Sequence, residues 1–194
     1  MKRVFIMILF LILFGASSNL SHAQHEELLI DDFNDGDLNN KVGGAWEVWL
    51  RTKEDTTQNC KATFVKDEAL GNQAGQSVLL DYDVESENPA YNGFRAYLND
   101  FDGNKFKMLN LYLKGDTAAG FPPNLKIELI GPDKRPSPYM ITGITDQWQK
   151  FSVPLSEFFV VQDWTKLYQF VVVFADITSN PQKGAVYLDQ VSFS

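Results

Sequence analysis

The sequence predicts an all-β protein built as an antiparallel β-sandwich of the jelly-roll type. Few segments keep a helical period, whereas short apolar runs of strand length recur between turn-forming residues. Within several runs apolar and polar residues alternate, which gives each strand one core face and one solvent face. Acidic, strand-like segments also stand near both ends of the chain, at 29–37 and 186–193. They indicate first and last strands that lie side by side in one closed domain.

Turn formers such as Gly43-Gly44, Asn88-Pro89 and Gly131-Pro132-Asp133 separate the predicted elements. A short helix is predicted at 155–159, directly after Pro154. The predicted strands, in chain order, are residues 28–33, 45–53, 61–66, 77–84, 93–99, 107–114, 124–130, 139–144, 149–153, 168–174 and 185–193.

The alternation also predicts which side chains point outward. In the strand 124–130, Leu125, Ile127 and Leu129 share one face, and Lys126 and Glu128 share the other. The strands 77–84, 93–99 and 107–114 alternate in the same way. The strand 170–174 is apolar on both faces, so we expect it to be central, with one face covered by a loop or the short helix.

The chain begins with features of a secretory signal. Lys2 and Arg3 precede the apolar run 4–14, which is shorter than the approximately 20 residues that a membrane span needs. Small residues at Ser21 and Ala23 predict cleavage after Ala23. Residues 1–23 are therefore predicted to be a signal peptide and 24–194 one domain. The expected location is the periplasm or the cell exterior, without membrane insertion after cleavage.

Composition excludes several classes of function. Removal of Lys2 and Arg3 leaves 15 basic against 25 acidic residues, a net charge of −10, which argues against nucleic acid and anionic lipid as partners. The histidines are His22 and His25, in the signal and at the mature N-terminus, so catalysis through Ser-His-Asp or Cys-His and zinc sites that use histidine are excluded. Cys60 has no partner for a disulfide and is expected to be a buried apolar residue.

The predicted outward residues combine aromatic rings with guanidinium, ammonium and carboxylate groups. This is the chemistry of a sugar-binding cleft, where the apolar face of a pyranose packs on a ring and its hydroxyls bind polar groups. The alternative is an ordinary solvated surface. The candidate carbohydrate-binding residues are Trp49, Arg51, Arg95, Tyr97, Tyr112, Lys126, Glu128 and Tyr139. Trp46, Trp148 and Trp164 are expected to pack in the core or at the sandwich edge.

The acidic ends suggest a structural cation. Ca²⁺ takes six to eight oxygen ligands, and Asp32, Asp35 and Asp189 could supply the charged ones. The spacing does not match an EF-hand loop. Because Asp and Gly are also ordinary turn formers, the alternative for 34–37 is a simple turn.

Three segments resemble a known family in order and spacing. They are Ile30-Asp31-Asp32-Phe33-Asn34-Asp35-Gly36 with the following 40–46, the stretch 139–158 around Trp148 and Pro154-Leu155, and the ending Val186-Tyr187-Leu188-Asp189. Together they are similar to family 11 carbohydrate-binding modules and to the related complex I intermediate-associated protein 30 group, over essentially the whole mature chain.

This resemblance implies a galactose-binding-like jelly roll whose concave face can hold a β-glucan chain. It also implies structural calcium where the first and last strands join, near Asp32 and Asp189. Asn34 stands where the family often has Glu, which is a departure from the metal pattern.

The leading hypothesis from the sequence is therefore an exported, non-catalytic protein that binds a polysaccharide, with a β-glucan favoured and no catalytic residue assigned. One alternative is an envelope interaction or assembly module, which would expose an apolar patch such as 158–161 with Trp164. Another is a small jelly-roll glycosidase using Glu47 and Glu128, with a polysaccharide lyase as a weaker variant.

Overall fold

The computed structural model describes residues 27–70 and 75–194. The predicted signal peptide, its cleavage site after Ala23, and both histidines lie outside the described residues. Within these two ranges no helix is long and apolar enough to cross a membrane.

The described chain consists of strands joined by turns and loops. A 3₁₀ turn, Leu155–Glu157, follows the ninth strand. The strands are β1 (Leu28–Asp31), β2 (Trp46–Leu50), β3 (Asn59–Val65), β4 (Ser77–Asp83), β5 (Tyr91–Phe101), β6 (Met108–Gly115), β7 (Asn124–Ile130), β8 (Pro136–Thr142), β9 (Gln149–Pro154), β10 (Leu167–Ala175) and β11 (Lys183–Phe193).

The strands form two antiparallel sheets that pack face to face. One sheet has six strands, with the order β3-β4-β11-β6-β9 and with β1 also paired to β11. The other has five strands in the order β2-β5-β10-β7-β8. The all-β jelly-roll prediction is confirmed.

The first and last strands are neighbours, as the sequence predicts. Strand β4 pairs with β11 over Lys183 to Leu188, and β1 pairs with β11 over Val191 to Phe193. The two strands therefore occupy successive parts of the same edge of β11. The ends of the described chain close the six-stranded sheet.

The core lies between the sheets and contains the inward residues of both. Trp46 is 2% exposed and stacks on Phe94, with 4.8 Å between ring centroids and 13° between ring planes. Its indole Nε1 donates a hydrogen bond of 2.8 Å to the buried Asp31 carboxylate. Because Asp31 belongs to the six-stranded sheet and Trp46 to the five-stranded one, this contact joins the two layers.

Strand β10 is central, as its apolar composition predicts. Phe170, Val172 and Phe174 face the core cluster, and Val171 and Val173 lie on the opposite face with 4% and 1% of their surface exposed. The 3₁₀ turn does not cover that outer face, because Leu155 and Phe158 pack into the core cluster instead. The register places long side chains of β5 and β7 beside the two valines.

Cys60 and the other tryptophans have structural positions. Cys60 is buried, and burial raises the pKa of its thiol to about 12, so the thiol stays protonated and unreactive at neutral pH. Trp164 packs against the core cluster, and the ring of Trp148 lies 6.2 Å from that of Tyr187. Core or edge packing is thus confirmed for Trp46, Trp148 and Trp164.

Candidate functional site

The outward side of the five-stranded sheet gathers most of the predicted polar and aromatic residues. One row across four strands places Glu47, Arg95, Val171 and Glu128 side by side. The next row places Trp49, Gly93, Val173 and Lys126 side by side. Tyr97 and Tyr91 lie on the same side of β5, above and below these rows. We call this surface the aromatic face, defined by Glu47, Trp49, Arg51, Tyr91, Arg95, Tyr97, Lys126 and Glu128.

Trp49 has room on the aromatic face because its cross-strand partner is a glycine. A Cβ on Gly93 would come within 3.3 Å of the indole Nε1 of Trp49 and within 1.9 Å of the Val172 carbonyl oxygen. Glycine in a strand commonly marks such a close approach. The indole can therefore lie down against the backbone of β5, where it forms a flat apolar surface beside Val173.

Tyr91 and Arg51 extend this surface at one end. The ring of Tyr91 meets Trp49 edge to face, with 5.5 Å between centroids, and Arg51 lies 4.9 Å over the ring of Tyr91. The backbone N–H of Arg51 donates to the Tyr91 carbonyl, which fixes the two residues side by side. Tyr91 is 38% exposed, so its ring is accessible to a ligand.

A hydrogen-bonded network occupies the middle of the face. The guanidinium of Arg95 and the hydroxyl of Tyr97 (2.9 Å) both donate to Oε1 of Glu47. Burial raises the pKa of Glu47, but the hydrogen bonds from Arg95 and Tyr97 outweigh it and hold that pKa below its usual value. Burial and the bond to Glu47 raise the pKa of Tyr97. The network is thus an ionised carboxylate that accepts hydrogen bonds from two side chains. Its polar groups can also form hydrogen bonds with the hydroxyl groups of a ligand.

The far side of the face carries a second ion pair. Lys126 Nζ lies 3.1 Å from a carboxylate oxygen of Glu128 on the same strand. Val171 and Val173 lie between this pair and the aromatic side, but only 4% and 1% of their surface is exposed, so neighbouring side chains cover them. The face therefore presents aromatic rings on β2 and β5 and charged groups on β7.

The structure adds residues that the sequence analysis missed. Tyr91 is an even number of residues from Arg95 and Tyr97, so its side chain points to the same side of β5. Extending the predicted strand from residue 93 to residue 91 would have identified it. Tyr168 meets Tyr97 at 5.7 Å, and Lys134 lies 2.8 Å above the ring of Tyr168. The alternation of apolar and polar residues does not identify Tyr168 as outward, because the pairing of β10 with β5 is irregular between Leu167 and Gln169.

Two predicted residues do not belong to the aromatic face. Tyr112 points outward, but from β6 of the six-stranded sheet, where it pairs with Asp189 and Lys150. Tyr139 faces inward, packs against the core cluster, and lies 6.0 Å from the ring of Phe158. Trp49, Arg51, Arg95, Tyr97, Lys126 and Glu128 are brought together, and Tyr112 and Tyr139 are not.

The predicted metal ligands form separate contacts. Lys41 Nζ lies 3.0 Å from Asp32 and 3.9 Å from Asp35. The Asp189 carboxylate instead accepts the backbone N–H groups of Leu70 and Gln190. Across 27–70 and 75–194, no three side chains of His, Cys, Asp or Glu assemble into a metal-binding group. The Lys41 ammonium group therefore lies beside the carboxylates of both Asp32 and Asp35.

Two buried carboxyls near the joined ends predict an unusual pH dependence. Burial raises the pKa of Asp31 to about 6, although the N–H groups of Phe33 and Trp46 oppose it. Burial also raises the pKa of Asp189 to about 6, and the charges of Asp32 and Asp31 add to this. A carboxyl with a raised pKa stabilises the fold when protonated. Its contribution is complete below its ordinary pKa of 3.8 and is lost as pH rises through about 6.

We therefore expect the free energy of unfolding to fall between about pH 4 and pH 7, by up to about 3 kcal/mol per group. Urea denaturation across this range, with a chelator present, measures the change. Asp189→Asn should flatten the profile. Stability that stays constant or rises over this range would contradict the prediction, since the carboxyls with lowered pKa values, such as Asp32 and Glu47, act mainly at lower pH.

The geometry also bears on the two alternative functions. Glu47 and Glu128 lie on one face but three strands apart, about 14 Å at the usual strand spacing. Glycosidases hold their two carboxyls about 5–9.5 Å apart. In the predicted apolar patch, Phe158 and Val161 are buried and Phe159 is 72% exposed. Neither a facing carboxylate pair from Glu47 and Glu128 nor a continuous patch at 158–161 is formed.

Comparison with known proteins supports the architecture. No family profile and no curated protein sequence matches the chain. Among solved structures, the chain is similar to the family 11 carbohydrate-binding module of the cellulosomal cellulase Lic26A-Cel5E of Clostridium thermocellum, with a TM-score of 0.62 and 16% identity over 87% of this chain and 94% of that one.

Two further structures have the same sandwich. A family 11 module from Clostridium thermocellum, in complex with a β-1,3-1,4-mixed-linked tetrasaccharide, gives a TM-score of 0.62 and 16% identity over 86% of this chain and 94% of that one. A structure of carbohydrate-binding modules from the β-sandwich superfamily gives 0.56 and 14%, over 84% of this chain and 60% of that one. At these identities the likeness shows the fold, and it confirms at that level the resemblance to family 11 modules.

Proposed function

We propose that this protein is an exported, non-catalytic polysaccharide-binding protein whose ligand lies along the aromatic face. The observation that carries the proposal is the position of Trp49, which lies against Gly93 beside the network of Glu47, Arg95 and Tyr97. An apolar ring surface bordered by fixed hydrogen-bonding groups is what a pyranose requires.

The length of the aromatic face favours a chain over a single sugar. Tyr91 and Tyr97 are six residues apart on β5, about 20 Å along an extended strand, and Trp49 lies between them. A β-linked glucan is the favoured backbone. The mixed-linked tetrasaccharide bound by a family 11 module of the same fold supports this choice.

A non-catalytic role follows from the pairing of the carboxylates on the face. Glu47 is engaged by Arg95 and Tyr97, and Glu128 by Lys126. The hydrogen bonds from Arg95 and Tyr97 hold the pKa of Glu47 below its usual value, so Glu47 is not poised as a general acid. Export is supported by Lys2, Arg3 and the apolar run that follows them.

Affinity electrophoresis tests the proposal directly. The protein without residues 1–23 is run through gels that contain soluble mixed-linked glucan, xyloglucan or mannan, and calorimetry gives the Kd for each glycan that retards it. We expect retardation by at least one β-linked glycan, with no release of reducing sugar. Failure to bind any glycan in the panel would overturn the proposal.

We also propose that a structural calcium ion binds where the first and last strands join. It is supported by the closeness of Asp32, Asp35 and the charge of Asp189, although Lys41 now occupies the carboxylates of Asp32 and Asp35. A ligand that binds only the folded state raises its Tm. Calcium should therefore raise the Tm relative to chelator, and more so in Lys41→Met, where both carboxylates are free. Identical melts in both proteins would remove calcium from the proposal.

A further inference from the structure

The aromatic face has a charge opposite to that of the whole chain. On this face Arg95 forms an ion pair with Glu47, and Lys126 forms one with Glu128, so the charges cancel within each pair. Arg51 and Lys134 remain at its two ends. In the ranges that the structure describes, neither of these two forms an ion pair, and each lies against a tyrosine ring instead.

The rings of Tyr91, Trp49, Tyr97 and Tyr168 form a line that we call the aromatic row, and the two unpaired cations lie at its ends. Arg51 lies over Tyr91 at one end. Lys134 lies over Tyr168, which contacts Tyr97 at the other end. A tyrosine ring beneath a cation holds it in place without neutralising its charge. Each end of the row therefore presents a positioned cation to a ligand that lies on the rings.

From this juxtaposition we propose that the bound polysaccharide is anionic, with carboxylate groups on a β-linked chain that are bound by Arg51 at one end and by Lys134 at the other. This inference rests on the proposed function and names the chemical class of its ligand. Arg51 can donate two parallel hydrogen bonds to a carboxylate, and Lys134 can act as a point charge.

The net charge of −10 does not prevent this. Most acidic side chains lie off the aromatic face, and charges farther than about 8 to 10 Å are largely screened at physiological salt. The acidic groups beside Arg51 are in the loop after β2, where Glu54 and Asp55 line one open cavity with Arg51. The oxygens of Asp55 already accept hydrogen bonds from Thr57, Gln58 and Ser86.

Two cellulose ethers with the same β-linked backbone distinguish the effect of ligand charge on binding from the effect of backbone shape. Carboxymethyl cellulose carries carboxylates, and hydroxyethyl cellulose is neutral. Calorimetry or affinity electrophoresis with each polymer is done at low and at high ionic strength. The proteins are the wild type, Arg51→Gln and Lys134→Gln, with Lys150→Gln as the control. Lys150 is an exposed lysine on β9, on the other sheet, so its substitution removes the same charge elsewhere.

We expect the wild type to bind carboxymethyl cellulose more tightly than hydroxyethyl cellulose, and the difference to shrink at high salt. Arg51→Gln and Lys134→Gln should each weaken binding of the charged polymer about tenfold and weaken binding of the neutral one much less. Equal, salt-independent binding of both polymers, or equal losses in Lys150→Gln, would overturn the anionic ligand while the proposed function stands. If neither polymer nor any glycan of the neutral panel binds, both fail.

Discussion

Trp46→Ala is expected to lower the free energy of unfolding by about 3–5 kcal/mol, a large share of the stability of a domain this size. Trp46 stacks on Phe94 and also contacts the rings of Phe33 and Phe170 at 5.2 and 6.1 Å. Its removal leaves a cavity between the sheets. It also removes the indole N–H that binds the fully buried Asp31 carboxylate.

Urea denaturation measures the loss, and a second variant divides it into two parts. Trp46→Phe keeps an aromatic ring in the stack but removes the N–H, so it should cost only about 1–3 kcal/mol, the usual penalty for a buried acceptor left unpaired. Ile177→Ala is the control, because Ile177 is 89% exposed and should change stability by less than about 0.5 kcal/mol. A loss for Trp46→Ala no larger than that of the control would show that Trp46 does not join the sheets.

Trp49→Ala is expected to weaken polysaccharide binding about 30-fold, or about 2 kcal/mol, which is the size of effect found at aromatic hot spots. The indole provides the flat apolar surface beside Gly93, and no other ring on β2 can replace it. Trp49→Phe keeps part of that surface and should retain part of the affinity. Calorimetry with whichever glycan the panel identifies measures both.

Tyr112→Ala is the matched control for this experiment. Tyr112 is also a half-buried, outward aromatic residue, but it belongs to the six-stranded sheet, so its loss should leave the Kd unchanged. Thermal melts of each variant check that the fold is intact. Wild-type affinity in Trp49→Ala, or an equal loss in Tyr112→Ala, would place the ligand somewhere other than the aromatic face.

The sequence predicted much of the fold because alternation depends on local geometry. In β7, Leu125, Ile127 and Leu129 are buried while Lys126 and Glu128 point outward, as the period of two requires. The same pattern holds for β4 and β5. Strand ends were less exact, because they depend on pairing rather than on composition. The strand predicted at 93–99 extends to Tyr91–Phe101, and the predicted helix is a 3₁₀ turn.

The site was harder to predict because alternation does not reveal which sheet a strand joins. Tyr112 and Tyr97 carry the same signal, yet they lie on opposite sides of the sandwich. For Tyr139 the phase itself is ambiguous, since Tyr139, Met140 and Ile141 are consecutive apolar residues. The contacts of Lys41 with Asp32 and of Lys134 with Tyr168 come from loops, where no periodic pattern exists.

The pairing of β1 with β11 also determines how the domain responds to mechanical load. Leu28, at the start of β1, is paired with Phe193, at the end of β11. A force that separates these two points would open their hydrogen bonds one at a time, like a zipper, rather than shear them together. Strand β1 would detach first, while β11 stays held between β4 and β6. The aromatic face lies on the other sheet, so detachment of β1 would leave the strands that carry this face paired.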